Sequence, residues 1–397
     1  MAYQLSPSQK CRLFITLTCL GMVTVFAISS IANIYEVPFD ILSRYVPCLV
    51  IAWLRRLPMR PFLFSAMAKI FLYRLEARQI QYLSSSTWET FNAWQSEASA
   101  KIYNLKAITV PTRQPGHVVE AMEEDGGSLL WLGDHNEAST VVLFLHGGGY
   151  IAPLFKGHLN WCRDVFLEAE AETGTKVAVA ILEYTLCPEA RFPTQLRQAI
   201  GAVNTLLSSG FPLEKILLGG DSVGGNLAAQ LLCQIARPNA LLPPIQTSRP
   251  LQATFMVSPW LSRHINGYSY QFNERIDMLS SHTVKKSVAY LMGDDHDNCS
   301  MCDPGKLASP IDSGTDCFQG LDTAVRHLYV TAGEQEVMKD QIVAFTKGVI
   351  TFNPKINVEF IFQKEQAHDF ILIEGQQGVP GICTEGMKAW VKSVLTS

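Results

Sequence analysis

Ser222 sits in Gly220-Asp221-Ser222-Val223-Gly224, between an apolar stretch, KILLG, and NLAAQLLCQIA. The first has the character of a strand and the second of a helix. A serine at a sharp strand-to-helix turn lifts its hydroxyl above the sheet, and the crowded backbone there demands small neighbours. The chemistry open to it is attack on an acyl carbonyl, which requires a base and donors for the oxyanion. The donors are suggested upstream, where VVLFL ends in His146-Gly147-Gly148-Gly149-Tyr150. Glycines at a strand's carboxyl end let backbone N–H groups approach a ligand closely. The amides of Gly147, Gly148 and Val223 form the expected oxyanion hole, each donor worth ~3–4 kcal/mol in the transition state.

At such a turn the acid and then the histidine follow the serine along the chain. Downstream histidines are His264, His282, His296, His327 and His368. His327 opens a strand, and the other early ones precede any late acid. His368, in the loop QKEQAHDF after the strand VEFIF, is the expected base. The acid belongs to the loop after HLYVT, where Glu334, Glu336 and Asp340 all qualify and spacing does not choose among them. Asp221 adjoins Ser222 too closely to reach the far side of the imidazole and is assigned a structural or oxyanion-loop role.

These residues need a frame. Apolar runs at 107–112, 128–132, 141–145, 177–182, 215–218, 253–257, 327–331 and 358–362 give eight strand candidates. Helical patterns at 194–208, 224–236, 339–349 and 384–395 alternate with the later ones. Such alternation predicts an α/β fold with a mostly parallel sheet covered on both faces, its site beyond the strands' carboxyl ends. Residues 101–397 form the expected catalytic domain, and prolines break the apolar segment 36–100 into short helices.

From Leu13 to Tyr35 there is no charged side chain, a run long enough to cross a bilayer as a helix. A membrane anchor is the expectation, with a cleaved signal peptide as the rival. Lys10 and Arg12 before the run, and Glu36 and Asp40 after it, favour a cytosolic N-terminus and a catalytic part in the endoplasmic reticulum or secretory lumen. Arg44, Arg55, Arg56 and Arg60 oppose that bias, while the sequon Asn298-Cys299-Ser300 suits a lumenal glycoprotein. A net charge of −4 without a basic, aromatic-rich stretch argues against nucleic acid. Ten scattered cysteines make no disulfide scaffold, and Cys299-x-x-Cys302 lacks the second pair of a zinc site. The chemistry calls for no metal or cofactor.

Taken together, the motifs resemble the hormone-sensitive lipase-like branch of the α/β-hydrolases over roughly residues 141–370. HGGGY at 146–150 is followed by EYTLCPE at 183–189, Phe192-Pro193, GDSVGG at 220–225 and DPGKLASP at 303–310, in the family's order. The resemblance implies a serine esterase, lipase or deacetylase. Laying Glu336-Val337-Met338-Lys339-Asp340 on the family's DPLRD-like stretch puts Glu336 at the acid, with glutamate in place of aspartate. It also implies a cap built from the N-terminal helices and an insertion near 261–298, whose Tyr268, Tyr270, Phe272 and Met278 would line an acyl or sterol pocket. An anchor joined to such a domain is similar to the fungal steryl acetyl hydrolases and related deacetylases, implying an apolar acetylated ester. Rival readings are an acyltransferase or amidase with the same triad, or a ligand receptor without catalysis; the oligomeric state is left open.

Overall fold

Strand β2 (Thr140–Leu145, TVVLFL) is buried at every position. A strand without a polar face must be covered on both sides, and the alternation of β structure divides its side chains between two cores. Val141, Leu143 and Leu145 enter one core, Val142 and Phe144 the other. The computed structural model describes residues 39–99, 127–246, 249–293 and 308–397. Within these the sheet continues with β1 (Ser128–Leu132), β3 (Val177–Glu183), β4 (Ile216–Asp221), β5 (Leu251–Val257), β6 (Val325–Gly333) and β7 (Asn357–Gln363).

The strand order is β1-β3-β2-β4-β5-β6-β7. Strand β1 runs antiparallel to β3, and every other pair is parallel. Seven of the eight expected strands therefore form the sheet; the eighth candidate, 107–112, lies outside the described residues. From β2 the chain winds to β3 and then returns past β2 to β4, so the winding reverses between β2 and β4. A crevice opens at the carboxyl ends of strands flanking such a reversal. Leu145 pairs in register with Gly220, which sets the HGGGY loop beside the Ser222 turn.

Among the described residues four helices precede the sheet: α1 (Phe39–Leu54), α2 (Met59–Arg74), α3 (Ala77–Leu83) and α4 (Thr87–Ser99). Helix α5 (Lys156–Cys162) passes through a π turn at Arg163–Leu167 into α6 (Glu168–Thr173). The later helices are α7 (Thr194–Ser208), α8 (Val223–Ala236), α9 (Tyr268–Asn273), α10 (Ser281–Met292), α11 (Lys339–Phe352), α12 (Phe370–Gln377) and α13 (Ile382–Leu395).

Helices α9 and α10, from the 261–298 insertion, are tied to the N-terminal helices. Lys286 of α10 donates to the carbonyls of Leu72 and Leu75 at the end of α2, at 2.8 and 2.6 Å. Orphan carbonyls at a helix end favour a cation. Buried Lys69 of α2 donates in turn to the Asp277 carbonyl at 3.0 Å and to that of Glu274.

One expectation for the insertion fails in part. Tyr268 and Phe272 stack on each other at 4.0 Å and face solvent rather than lining a pocket, because one turn of α9 puts both on its outer side. Among the described residues no helix is long and apolar enough to cross a membrane. The run 13–35 lies outside those residues, as do Asn298, Cys299 and Cys302.

Candidate active site

Strand β4 ends at Asp221 and α8 begins at Val223, leaving Ser222 alone to make the turn at φ 50° and ψ −114°. A side chain in this region is strained and must be held by its surroundings. The Ser222 N–H donates to the Val257 carbonyl at 2.8 Å, and its own carbonyl accepts from the Trp260 N–H at 2.9 Å. The backbone packs so tightly that a Cβ at Gly220 or at Gly224 would stand 1.8 Å from the Leu145 oxygen. That contact is the local reason for glycine at both positions.

His368 lies in the loop between β7 and α12 and is buried. Its Nε2 is 3.0 Å from Ser222 Oγ, and its Nδ1 is 3.3 Å from Glu336 Oε2. Glu336 comes from the loop after β6 and is fully buried, with no partner among the described residues at Oε1. The other acids point elsewhere. Glu334 accepts from the Glu365 N–H at 3.1 Å, and Asp340 accepts from the Ser269 N–H at 2.7 Å, holding α9.

The loops bearing acid and base are laced together by Glu334 N–H to the Gln363 carbonyl and Gln335 N–H to that of Gln366, at 2.9 and 2.8 Å. Asn273 adds Nδ2 bonds to the carbonyls of Glu334 and Glu336, at 3.1 and 3.0 Å. Burial pulls the His368 pKa down, but the hydrogen bond and charge of Glu336, joined by Asp277 and Asp221, leave it above the ordinary imidazole value.

The oxyanion loop departs from expectation at Gly147. Its N–H donates to Asp221 Oδ1 at 2.9 Å and is spent within the protein. The next two amides, Gly148 and Gly149, have no acceptor among the described residues, and neither has Val223 at the first position of α8. Three N–H groups therefore remain for an oxyanion, with Gly149 replacing Gly147. Tyr150 fixes this loop on α8 by donating to Asn226 Oδ1 at 2.7 Å, within 3.2 Å of the Val223 carbonyl.

Asp221 also lies 3.2 Å from His158 Nε2 and against the carboxyl of Asp369. Burial raises Asp221, but the His158 charge and hydrogen bond and the Asp369 carboxyl bring it below the usual range. Burial and the Asp221 charge push Asp369 far above it. The two carboxyls are thus driven apart, Asp221 toward the ionised form in which it accepts from Gly147 and Asp369 toward the neutral one. Adjacency to His368 and Ser222 was the one sequence signal for either.

Asp277 gave no such signal. It is buried in the insertion after α9, where Oδ2 accepts from the Val337 N–H at 2.7 Å and Oδ1 faces the His368 N–H at 3.4 Å. It thus bridges the acid and base loops, and burial pushes its carboxyl up to about 6.

A family model described as alpha/beta hydrolase fold matches residues 142–372, more than half of the chain. The chain belongs to the alpha/beta hydrolase fold family. Within it, this hydrolase is 25% identical over 231 residues to an acetyl-hydrolase of Streptomyces hygroscopicus, covering 58% of this chain and 68% of that one. It is 26% identical over 222 residues to an esterase of Acinetobacter venetianus, covering 55% of this chain and 64% of that one. The crystal structure of an esterase from the bacterial hormone-sensitive lipase family superposes with a TM-score of 0.54 at 19% identity. The superposition covers 83% of this hydrolase and 98% of that chain, a likeness of fold. The fold family indicated by the motifs is the one whose model the chain matches.

Proposed function

We propose that this hydrolase is a membrane-anchored serine carboxylic ester hydrolase acting on an apolar ester of acetate or another short acyl group. The carrying observation is the line of three buried side chains, Ser222 Oγ to His368 Nε2 at 3.0 Å and His368 Nδ1 to Glu336 Oε2 at 3.3 Å. Ser222 Oγ attacks the ester carbonyl carbon as its proton passes to His368 Nε2. The carbonyl π electrons move to oxygen, which the amides of Gly148, Gly149 and Val223 receive. Glu336 stabilises the imidazolium. As the carbon–oxygen bond to the alcohol breaks, His368 returns the proton to the departing oxygen. Water, deprotonated by the same His368, then attacks the acyl-serine; collapse releases the acid and restores Ser222.

The acyl preference is supported by the relative named acetyl-hydrolase. The anchor rests on the uncharged run 13–35, and the lumenal side on the charges flanking it and the sequon at Asn298. Replacing Ser222 by alanine should abolish fluorophosphonate labelling and p-nitrophenyl acetate hydrolysis; labelling that persists removes Ser222 from the mechanism. Carbonate-resistant sedimentation of the full chain, lost on deleting the first 36 residues, tests the anchor. An endoglycosidase shift abolished by Asn298→Gln tests the lumenal side.

A further inference from the structure

Residues 45–68, YVPCLVIAWLRRLPMRPFLFSAMA, contain no acidic side chain and no lysine, and their only charges are Arg55, Arg56 and Arg60. They form most of the α1–α2 hairpin. Helix α1 buries Cys48 and Ala52, one turn apart, and α2 buries Phe62, Ala66 and Ile70, likewise one turn apart. These faces dock on the body of the protein. The opposite faces are apolar as well. Trp53 is 70% exposed and Leu54 65%, with Val50, Met59, Leu63 and Phe64 exposed beside them. The patch extends onto α9, because Arg55 donates to the Phe272 carbonyl at 3.3 Å and Phe272 carries the exposed stack with Tyr268.

An ordinary surface helix turns charge outward. Here both helices turn apolar side chains outward and gather cations at the tip between them. Large exposed apolar patches mark sites of association. The arginines decide the partner. A tryptophan and leucines beside Arg56 and Arg60, with no carboxylate in the segment, complement a layer that is apolar inside and anionic at its rim. Only three residues separate the uncharged run 13–35 from the start of α1 at Phe39.

We infer that the outer face of the α1–α2 hairpin, continued by Tyr268 and Phe272, lies in the headgroup–acyl boundary of the bilayer as a second, peripheral lipid contact, with Arg56 and Arg60 against lipid phosphates. The inference deepens the membrane reading above and rests on it for the identity of the partner, not for the patch. The same hairpin reaches the catalytic loops beneath it. Arg55 Nη1 donates to Gln335 Oε1, next to Glu336, and lies 3.4 Å from Asn273 Oδ1, while Lys69 holds the carbonyl of Asp277. An ester dissolved in the bilayer is thereby delivered to the side of the molecule on which the acid and base loops are held.

The test uses the full chain in vesicles of phosphatidylcholine and phosphatidylserine whose acyl chains carry bromine, a short-range quencher of tryptophan. Wild type should lose a component of its fluorescence that the Trp53→Phe variant lacks, and Arg56→Gln with Arg60→Gln should weaken that quenching. The Leu54→Glu, Leu63→Glu variant should hydrolyse a water-soluble ester at the wild-type rate. On an ester dissolved in the vesicles it should lose about tenfold or more, since two leucines no longer leave water. Equal quenching of wild type and Trp53→Phe, or equal loss on both esters, overturns the inference. So does concentration-dependent self-association abolished by Leu54→Glu without quenching, which would assign the face to a second copy of this chain. Carbonate extraction of the same samples reports on the run 13–35 separately. Quenching of Trp53 in a carbonate-extractable chain supports the face and overturns the anchor; resistance without quenching does the reverse.

Discussion

Glutamate reaches one carbon–carbon bond further than aspartate, so the backbone at residue 336 can stand back from His368 and still bring Oε2 within 3.3 Å of Nδ1. The cost is one more rotatable bond to be fixed in the buried site. Glu336→Gln keeps the shape and removes the charge, and kcat should fall by about 10³–10⁴-fold, the scale of a triad acid. Glu334→Gln should stay near wild type, because its carboxylate serves the Glu365 amide. The pH profile checks the same assignment. Neutral imidazole is the active form, and the site favours the protonated one, so the acid limb of kcat/KM should lie above the ordinary imidazole range. In Glu336→Gln that limb should move to lower pH; a limb that stays put would place the source of the shift in Asp277 and Asp221.

Two elements meet at Ser222, and their closeness can be tested without touching the proposed chemistry. Gly220→Ala would drive a Cβ to 1.8 Å from the Leu145 oxygen, which is backbone and cannot step aside. The expected loss exceeds about 4 kcal/mol, visible as failure to fold or a collapse of Tm. At the insertion, the Asp277 carboxyl has a folded pKa of about 6 against 3.8 for an ordinary aspartate. A raised carboxyl pKa adds stability that is fully present below the ordinary value and lost as pH rises through about 6. Relative to Asp277→Asn, wild type should therefore lose roughly 2–3 kcal/mol between pH 4 and pH 7, measured by urea unfolding. A constant difference across that window would mean that Asp277 is charged throughout.

These contacts also mark how far the sequence could be read. Strands such as TVVLFL and the Ser222 turn were legible because apolar runs and glycines record local geometry. The direction of β1 was not, since alternation is the same in either direction. Helix α12 begins FILI, a strand-like run that α12 winds instead after Asp369 turns the chain at φ 57°. Glu336 needed a family resemblance to be chosen over Glu334, whereas Asp277 and Arg55 act across 60 and 280 residues respectively, beyond any local pattern. Gly147 misled for a related reason: the carboxylate that takes its amide stands 74 residues away.

On the scale of the whole molecule, the parallel strands of a mixed sheet supply the positions of Ser222, Glu336 and His368, and segments outside the sheet hold their loops. Asn273 and Asp277 come from the insertion, Arg55 and Lys69 from the hairpin before the first strand. Arg55→Ala should therefore lower kcat on a soluble ester while leaving the sheet's melting transition nearly intact; stopped-flow turnover beside a calorimetric scan would show it. For Arg55, a chain shortened to begin at Phe39 and one shortened to begin at Pro58 differ, though both retain Ser222, Glu336 and His368. The first keeps the cation that grips the loop of Glu336, and the second is a hydrolase with its reagents present and one of its clamps missing.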